Sequence, residues 1–424
     1  MPDRTAARMG EVRIPSDEEL RRITERGVAE IVPHDEFVSA LKAGKHLRLK
    51  QGFDPTRPVI TLGWTVGLRK LRLLQDLGHT VVVIIGDWTA RIGDPSGKSE
   101  TRPMLTEEEV RANSEAILEQ FFKILDPAHT EIRRQTDWFD KFLLADVVRL
   151  SSRFTIAQIL QRDDFSQRFA EHTPIGIHEL MYPLLQAYDS YAIEADVEFG
   201  GTDQKFNNLV GRELQRMMGQ KAGPAGLGQA VFLVPLLVGL DGRKKMSQSL
   251  DNYVSIEQPP NDMYGKLMSI PDTLIGDYFE LLTDVPDGDL VSIRASIDKR
   301  SANPMEHKRR LAHDIVGQFH GAAAADAAQA EFSRVFSAGA QPDEVAEYGI
   351  SFTGDTETVD IPELLATSGV VPSKGEARRL VQQGAVEADG ARVVELRWPV
   401  RNGTVLRVGK HRFLRIVASK MDQE

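Results

Sequence analysis

The sequence predicts an α/β protein with a helical segment behind it and a small α+β domain at its end. Three observations carry that class. "HLRLKQGFDPT", "GWTVGLRKLRLLQDLG" and "HTVVVIIGD" read in order as strand into turn, helix and strand, which is a βαβ unit. "VVVIIG" is apolar throughout, as a parallel strand covered on both faces requires. After a helical stretch from about Ser255 to Ala340, the chain closes with a helix pair and alternating strands to Val417.

Each element has its own local reason. Residues 1–45 are read as N-terminal helices, because "SDEELRRITERGVAEI" and "HDEFVSALKAG" are charged and amphipathic. Residues 46–250 are read as the α/β domain. Its first helix ends at Gly78, a natural C-terminal stop. "TARIGDPSGKSETRPMLT" is a Gly/Pro/Ser-rich loop, and "TEEEVRANSEAILEQFFKIL" is a helix with a Thr cap and an acidic first turn. "HTEIRRQTDWF" supplies the next strand. Helices follow around "ADVVRLSSRFTIAQIL" and "HELMYPLLQAYDSYAIEA". "DVEFGGTDQKFNNLVGRELQRMM" gives strand, Gly-Gly turn and helix, and "AVFLVPLLVGLDG" a strand into the exposed, basic "RKKMSQSLDN". Residues 251–340 form the helical domain, 341–357 a linker and 358–424 the C-terminal domain.

Composition narrows the class. The chain has 424 residues, 41% hydrophobic and 27% charged, which suits a soluble protein of two or three domains. No apolar run reaches the roughly 18 residues of a membrane helix, and the N-terminus lacks an apolar signal core. There is no cysteine, which excludes disulfides and thiolate chemistry and fits a cytoplasmic location. From Pro372 to Lys420 there are eleven Lys and Arg against four Asp and Glu, or +7, leaving −17 on the rest of a chain whose net charge is −10. A basic tail on an acidic body suits RNA or phosphate binding, and a merely solvated basic surface reads the same on charge alone. His172 and His178 do not have ligand spacing, so no metal centre is expected.

Five segments then combine. "GFDPT" with "TLGW", "IGDPSGKSETRP", "YPLLQAYDS", "GGTDQKFN" and "GRKKMSQSLDN" occur in this order, the last about 190 residues after the first. Together they resemble the bacterial tyrosyl-tRNA synthetases, from about Glu19 to Val417. The resemblance implies a class I synthetase: a Rossmann-like catalytic domain, a helical anticodon-side domain and an α+β RNA-binding C-terminal domain. It implies formation of tyrosyl-adenylate from tyrosine and ATP with Mg²⁺, transfer to tRNA, and a homodimer.

Carried over residue by residue, it places Asp54, Asp94, Tyr182, Gln186, Asp189 and Gln204 around the amino acid. Tyr182, Gln186 and Asp189 lie on one helix face, so all three can point into one cleft. A carboxylate facing the phenol favours tyrosine over phenylalanine, because losing the hydroxyl leaves a buried acceptor unpaired. Gly52, Gly63, Gly201, Asp203 and Met246 fall at nucleotide positions, and Thr56, Lys245 and Ser247 at catalytic ones. Arg378, Arg379, Lys410 and Arg412 are the phosphate contacts of the tail. Lys50 replaces the tyrosine that many members carry before "GFDPT", while a branch that this chain resembles also has lysine.

The ATP side departs from the family. The family's His-x-Gly-His, which holds phosphates and adenine at a helix N-terminus, is Thr61-Leu62-Gly63-Trp64 here. Its Lys-Met-Ser-Lys-Ser is Lys245-Met246-Ser247-Gln248-Ser249, so a mobile cation for the leaving pyrophosphate is a glutamine. Losing one preorganised donor typically slows a reaction by about 10²–10³. Three losses, even non-additive, predict adenylation slower by something like 10⁴. Trp64 either stacks on adenine or fills its site. Two readings stay open: a ligase with a damaged activating site, and a paralogue repurposed for amino-acid or tRNA binding.

Overall fold

The computed structural model describes residues 12–94, 105–299, 302–337, 345–409 and 412–419. Its contacts divide the chain into two units, Met1–Phe319 and His320–Glu424. Among the described residues no helix is long and apolar enough to cross a membrane.

The first unit is built on one six-stranded sheet. Its strands are β1 (Glu30–Val32), β2 (Arg48–Phe53), β3 (Thr80–Ile85), β4 (Thr130–Arg134), β5 (Val197–Gly201) and β6 (Ala230–Val234), in the order β1-β6-β5-β2-β3-β4. The pairings among β2 to β6 are parallel, and β1 pairs antiparallel with β6 at the edge. All six residues of β3 are buried, as its unbroken Val/Ile run demands. The chain runs β2, β3, β4 to one side and returns through β5 and β6 on the other. The order therefore reverses between β2 and β5, the point beyond whose carboxyl ends an open α/β sheet places its ligand crevice.

The Leu62–Gln75 helix links β2 to β3, and Gly78 follows at φ +94°, where a side chain would be strained. Thr106 and Glu109 form a reciprocal capping box on the Glu107–Phe121 helix. The Ile177–Ala192 helix packs on Lys205–Met217, which leaves β5 through a short 3-10 turn. Leu184, Ala187, Val210 and Leu214 fill the space between them. Further on, the helical segment includes Pro260–Met268, Ile275–Leu282, Asp287–Asp298 and Pro304–His320.

Three expectations need correction. Residues 1–45 are not helical throughout, because Glu30–Val32 forms β1; three residues are too few to show a strand period. The 341–357 stretch read as linker supplies a strand. In the second unit, β7 (Ala346–Ile350) pairs parallel with β13 (Arg412–Ala418), and β8 (Glu357–Asp360) pairs antiparallel with β11 (Arg397–Val400). Its half-exposed alternation is weak beside the surrounding Gly, Pro and Asp. Third, "RKKMSQSLDN" is exposed only in part: Met246 and Gln248 are buried.

The rest of the second unit follows the expected pattern. The Ala-rich segment is the Ala322–Phe332 helix. The sheet runs β10 (Ala391–Arg392), β9 (Val386–Ala388), β12 (Val405–Val408), β13, β7. The Ile361–Thr367 and Lys374–Gln382 helices share a core with it through Ile361, Leu365, Val386, Leu406 and Ile416.

Candidate functional site

The crevice between β2 and β5 has a charged floor. Lys50 and Glu198 are direct partners in the parallel register, and their side chains form an ion pair of 2.9 Å with at most 1% exposure. The Lys50 ammonium also donates to the Gln186 carbonyl and the Ser190 hydroxyl, each at 2.8 Å, so all three protons have acceptors. Glu198 accepts in addition from Ser190 at 3.1 Å, from the Gln186 amide at 3.0 Å and from Gln229. A buried pair holds only when its remaining polar groups are met in this way.

Above the floor, the Ile177–Ala192 helix turns Tyr182, Gln186 and Asp189 toward the same crevice. The Tyr182 hydroxyl donates to Asp54 at 2.9 Å, and the other Asp54 oxygen accepts from Thr89 at 2.7 Å. Burial, with Asp54 next, pushes the Tyr182 phenol well above its ordinary value. A Cβ at Gly86 would lie 2.3 Å from the Asp54 carboxylate, so only glycine lets this aspartate seat at the end of β2. Asp189 is fully enclosed. It accepts from the Gln135 amide at 2.7 Å and the Trp138 indole N–H at 3.2 Å. Burial lifts its carboxyl to about 7, against the opposing pull of Lys50 and these two donors.

A third group closes the side. Asp94 accepts from Arg162 at 3.1 Å and from the Gln204 amide at 2.8 Å. Asn207 donates to Gln204 at 3.2 Å and to Gln186 at 2.9 Å. Thus Asp94, Gln204 and Gln186 belong to one connected polar rim. A site of this kind presents acceptors for an ammonium and a carboxylate acceptor deep in the pocket for a hydroxyl.

The opposite side of the crevice is made by the two altered motifs, which touch. Thr61 stands at the N-cap of the Leu62–Gln75 helix without making a capping bond, and its hydroxyl is buried with no partner among the described residues. Its backbone bridges antiparallel to Ser255, and the Leu62 N–H donates to the Val254 carbonyl at 2.9 Å. A Cβ on Gly63 would sit 3.5 Å from Met246. The Trp64 ring packs on Phe53, 5.0 Å between centroids, so the indole leans on the end of β2. Lys245 pairs with Asp203 at 2.5 Å, and Ser247 bonds Ser249 at 2.9 Å. Gln248 donates to the Val59 carbonyl. Gly52 is exposed at the end of β2, Gly201 closes β5, and the Thr56 N–H donates to the Asp54 carbonyl at 2.8 Å.

In the second unit Arg378 and Arg379 are exposed on the Lys374–Gln382 helix. Arg412 donates to the Val370 carbonyl at 3.1 Å and faces Glu376 at 3.5 Å. Lys410 lies outside the described residues.

A family profile described as tRNA synthetases class I (W and Y) matches residues 42–337. The chain belongs to that family. A second profile, the tyrosine–tRNA ligase SYY-like C-terminal domain, matches residues 344–416. A tyrosine–tRNA ligase of Dehalococcoides mccartyi strain CBDB1 is 50% identical over 402 residues, covering 95% of this chain and 99% of that protein. One of Thermotoga maritima is 48% identical, covering 94% and 97%. The fold matches the C-terminally truncated Aspergillus nidulans mitochondrial tyrosyl-tRNA synthetase with a TM-score of 0.63 at 21% identity, covering 75% of this chain and 94% of that one. It also matches the Archaeoglobus fulgidus enzyme complexed with L-tyrosine, with a TM-score of 0.59 at 22% identity, covering 74% and 99%. The architecture is that of a class I synthetase.

Several residues of the site escaped the sequence. Glu198 had a signal: a carboxylate inside the apolar strand "DVEFGG", unpaired in sequence and therefore in want of a cation. Gln135, Trp138, Thr89 and Arg162 had none, because they reach the crevice only through the sheet order.

Proposed function

We propose that this chain is a tyrosine–tRNA ligase whose amino-acid half is complete and whose activating half is slow. The observation that carries it is the enclosed Asp189 carboxylate, held by Gln135 and Trp138 on the face that also carries Tyr182 and Gln186. Asp189 accepts the phenol hydroxyl of tyrosine. Tyr182, Asp94 and Gln186 hold its ammonium, and Gln204 lies toward its carboxylate. Tyrosyl-tRNA synthetases use ATP with Mg²⁺. Here the adenosine end of a nucleotide finds the Gly63 backbone, the Gly201 turn and the Asp203 carboxylate. Its triphosphate end fits poorly. Thr61, Trp64 and Gln248 carry no charge, Val254 takes the first helix amide, and Lys245 is held on Asp203. Lys244 and Thr56 remain at the rim.

The tail binds tRNA through Arg378, Arg379 and Lys410, with Arg412 beside them. The protein works in the cytoplasm as a homodimer. Leu144, Val147 and Val148 are exposed on the Leu144–Ser151 helix, and Ile156, Phe169 and Ile177 are exposed on the helices that follow. Exposed apolar side chains gathered in one stretch of the chain are what a protein–protein surface offers. Leu144→Asp with Ile177→Asp yields monomers in sedimentation velocity, whereas an unmodified chain already monomeric refutes the dimer.

The second reading is a paralogue that binds tyrosine or tRNA without activating the amino acid. The Thr61, Trp64 and Gln248 set favours it. Tyrosine-dependent ATP–pyrophosphate exchange decides between them, run beside a Thr61→His, Trp64→His, Gln248→Lys variant. Measurable exchange in the unmodified chain, rising in the variant, supports the slow ligase. No exchange at all, with tyrosine still bound, supports the paralogue.

A further inference from the structure

Gln248 occupies the place of a mobile cation, yet it is 8% exposed and its amide donates to the Val59 carbonyl, on the approach to the Leu62–Gln75 helix. The loop that carries it is stapled internally. Met246 N–H donates to the Leu237 carbonyl at 2.7 Å and Gly239 N–H to the Lys244 carbonyl at 2.8 Å. Asn252 accepts from Ser247 N–H at 2.9 Å and donates to Asp241 and to the Lys245 carbonyl, both at 3.1 Å. These bonds make the loop a unit, and backbone bonds from Leu62 to Val254 and from Ile256 to Ile60 anchor the segment that follows it. Two side chains hold the tip itself: Lys245 on Asp203 beyond β5, and Gln248 on Val59 beyond β2. One anchor follows β5 and the other follows β2.

We infer that Gln248 is a positioning residue, a clasp that seats residues 245–250 across the crevice without any nucleotide. The chemistry of the side chain explains why glutamine does this and lysine does not. A neutral amide has no charge to desolvate, so holding it against one carbonyl at this depth costs far less than burying an ammonium. An ammonium at the same depth needs three acceptors or water, so it stays out in solvent and moves. The substitution therefore exchanges a mobile charge for a fixed neutral tether, and the loop no longer answers to the triphosphate. This inference rests on the reading of the crevice as the tyrosine site.

Hydrogen exchange on the full chain tests it, with MgATP as the probe. In the unmodified protein the amides of residues 249–251 exchange slowly and MgATP leaves them unchanged. In Gln248→Met, of similar size but with no donor, they exchange about tenfold faster. The β3 amides, Thr80–Ile85, stay as slow as before, which reports an intact fold. In Gln248→Lys the loop also exchanges faster, and MgATP slows it again. Fast exchange in the unmodified protein, or equal rates in Gln248→Met, overturns the clasp. A lysine variant as slow as the parent refutes the claim that the substitution created it. Tyrosine binding by calorimetry runs alongside. Its loss in all three proteins unseats the tyrosine site, while the exchange rates still decide the clasp.

Discussion

Asp189→Asn separates what this carboxylate does for binding from what it does to stability. Its folded pKa is about 7 against an ordinary 3.8, so the unfolded chain gives up its proton first. The stabilisation that comes from holding the proton is complete below 3.8 and is lost as pH rises through about 7. Above that pH the buried charge is a burden of roughly 4 kcal/mol, at 1.36 kcal/mol per pH unit. Asparagine removes the charge but can satisfy only one of the Gln135 and Trp138 donors, a loss of about 1–2 kcal/mol. The variant is therefore expected to be more stable than the parent at pH 8 by roughly 2–3 kcal/mol, and less stable by about 1–2 kcal/mol near pH 4. Urea unfolding without tyrosine, at several pH values, gives the difference directly. The same variant binds tyrosine more weakly and loses about 10- to 100-fold of its preference over phenylalanine, because a charged hydrogen bond is worth about 1.5–3 kcal/mol. A stability difference that does not change sign with pH refutes the account of the buried charge. Unchanged selectivity refutes the phenol contact.

Lys50→Met strands Glu198 as a buried charge and is expected to destabilise the first unit by about 3–5 kcal/mol in urea unfolding, with most of it recovered in Lys50→Met/Glu198→Gln. His79 is buried beside His46, and burial lowers its pKa from 6.5 to about 4. Its stability contribution is complete above about 6.5 and fades as pH falls toward 4, so His79→Gln flattens the acid limb of the unfolding profile by up to about 3 kcal/mol. Arg378→Glu with Arg379→Glu weakens tRNA binding and lowers its salt slope by about 1 per lost phosphate contact, leaving tyrosine binding unchanged. Equal slopes in a filter-binding salt series would place the RNA surface elsewhere.

The catalytic fold was legible because its signals are local and strong. β3 is a closed Val/Ile run, Thr106 and Glu109 spell a cap, and "GG" after "DVEF" marks the turn that ends β5. Tyr182, Gln186 and Asp189 share a helix face by spacing alone, and the structure sets all three toward one crevice. What stayed hidden depends on order across the sheet. Nothing near Asp189 in the sequence names Gln135 or Trp138, since β4 and the Ile177–Ala192 helix meet only after folding. β1 and β7 were missed for a different reason. Each is short and lies at a sheet edge, where one side of the strand meets solvent and the apolar pattern thins. The burial of Gln248 was equally invisible, because a polar residue in a basic run reads as surface until a backbone carbonyl is found beside it.

The two halves of the crevice differ in what else their residues do. On the side proposed to hold the amino acid, the same atoms also hold the fold. Lys50 and Glu198 pin β2 to β5, Tyr182 ties its helix to Asp54, and Arg162 joins Asp94 to Asn207 at 3.1 Å in each contact. Replacing any of them leaves a buried polar group unmet, which disrupts the fold as well as the pocket. At Thr61, Trp64 and Gln248, on the side proposed for the nucleotide, the described residues show no such network. Thr61 makes no capping bond, Trp64 gains an aromatic neighbour in Phe53, and Gln248 makes one bond to a carbonyl. Beyond the Lys245–Asp203 pair and the Gln248 tether, these positions tie few buried polar groups together. On the proposed reading, changes at Thr61, Trp64 and Gln248 cost the fold less than changes at Lys50, Glu198 or Tyr182 would.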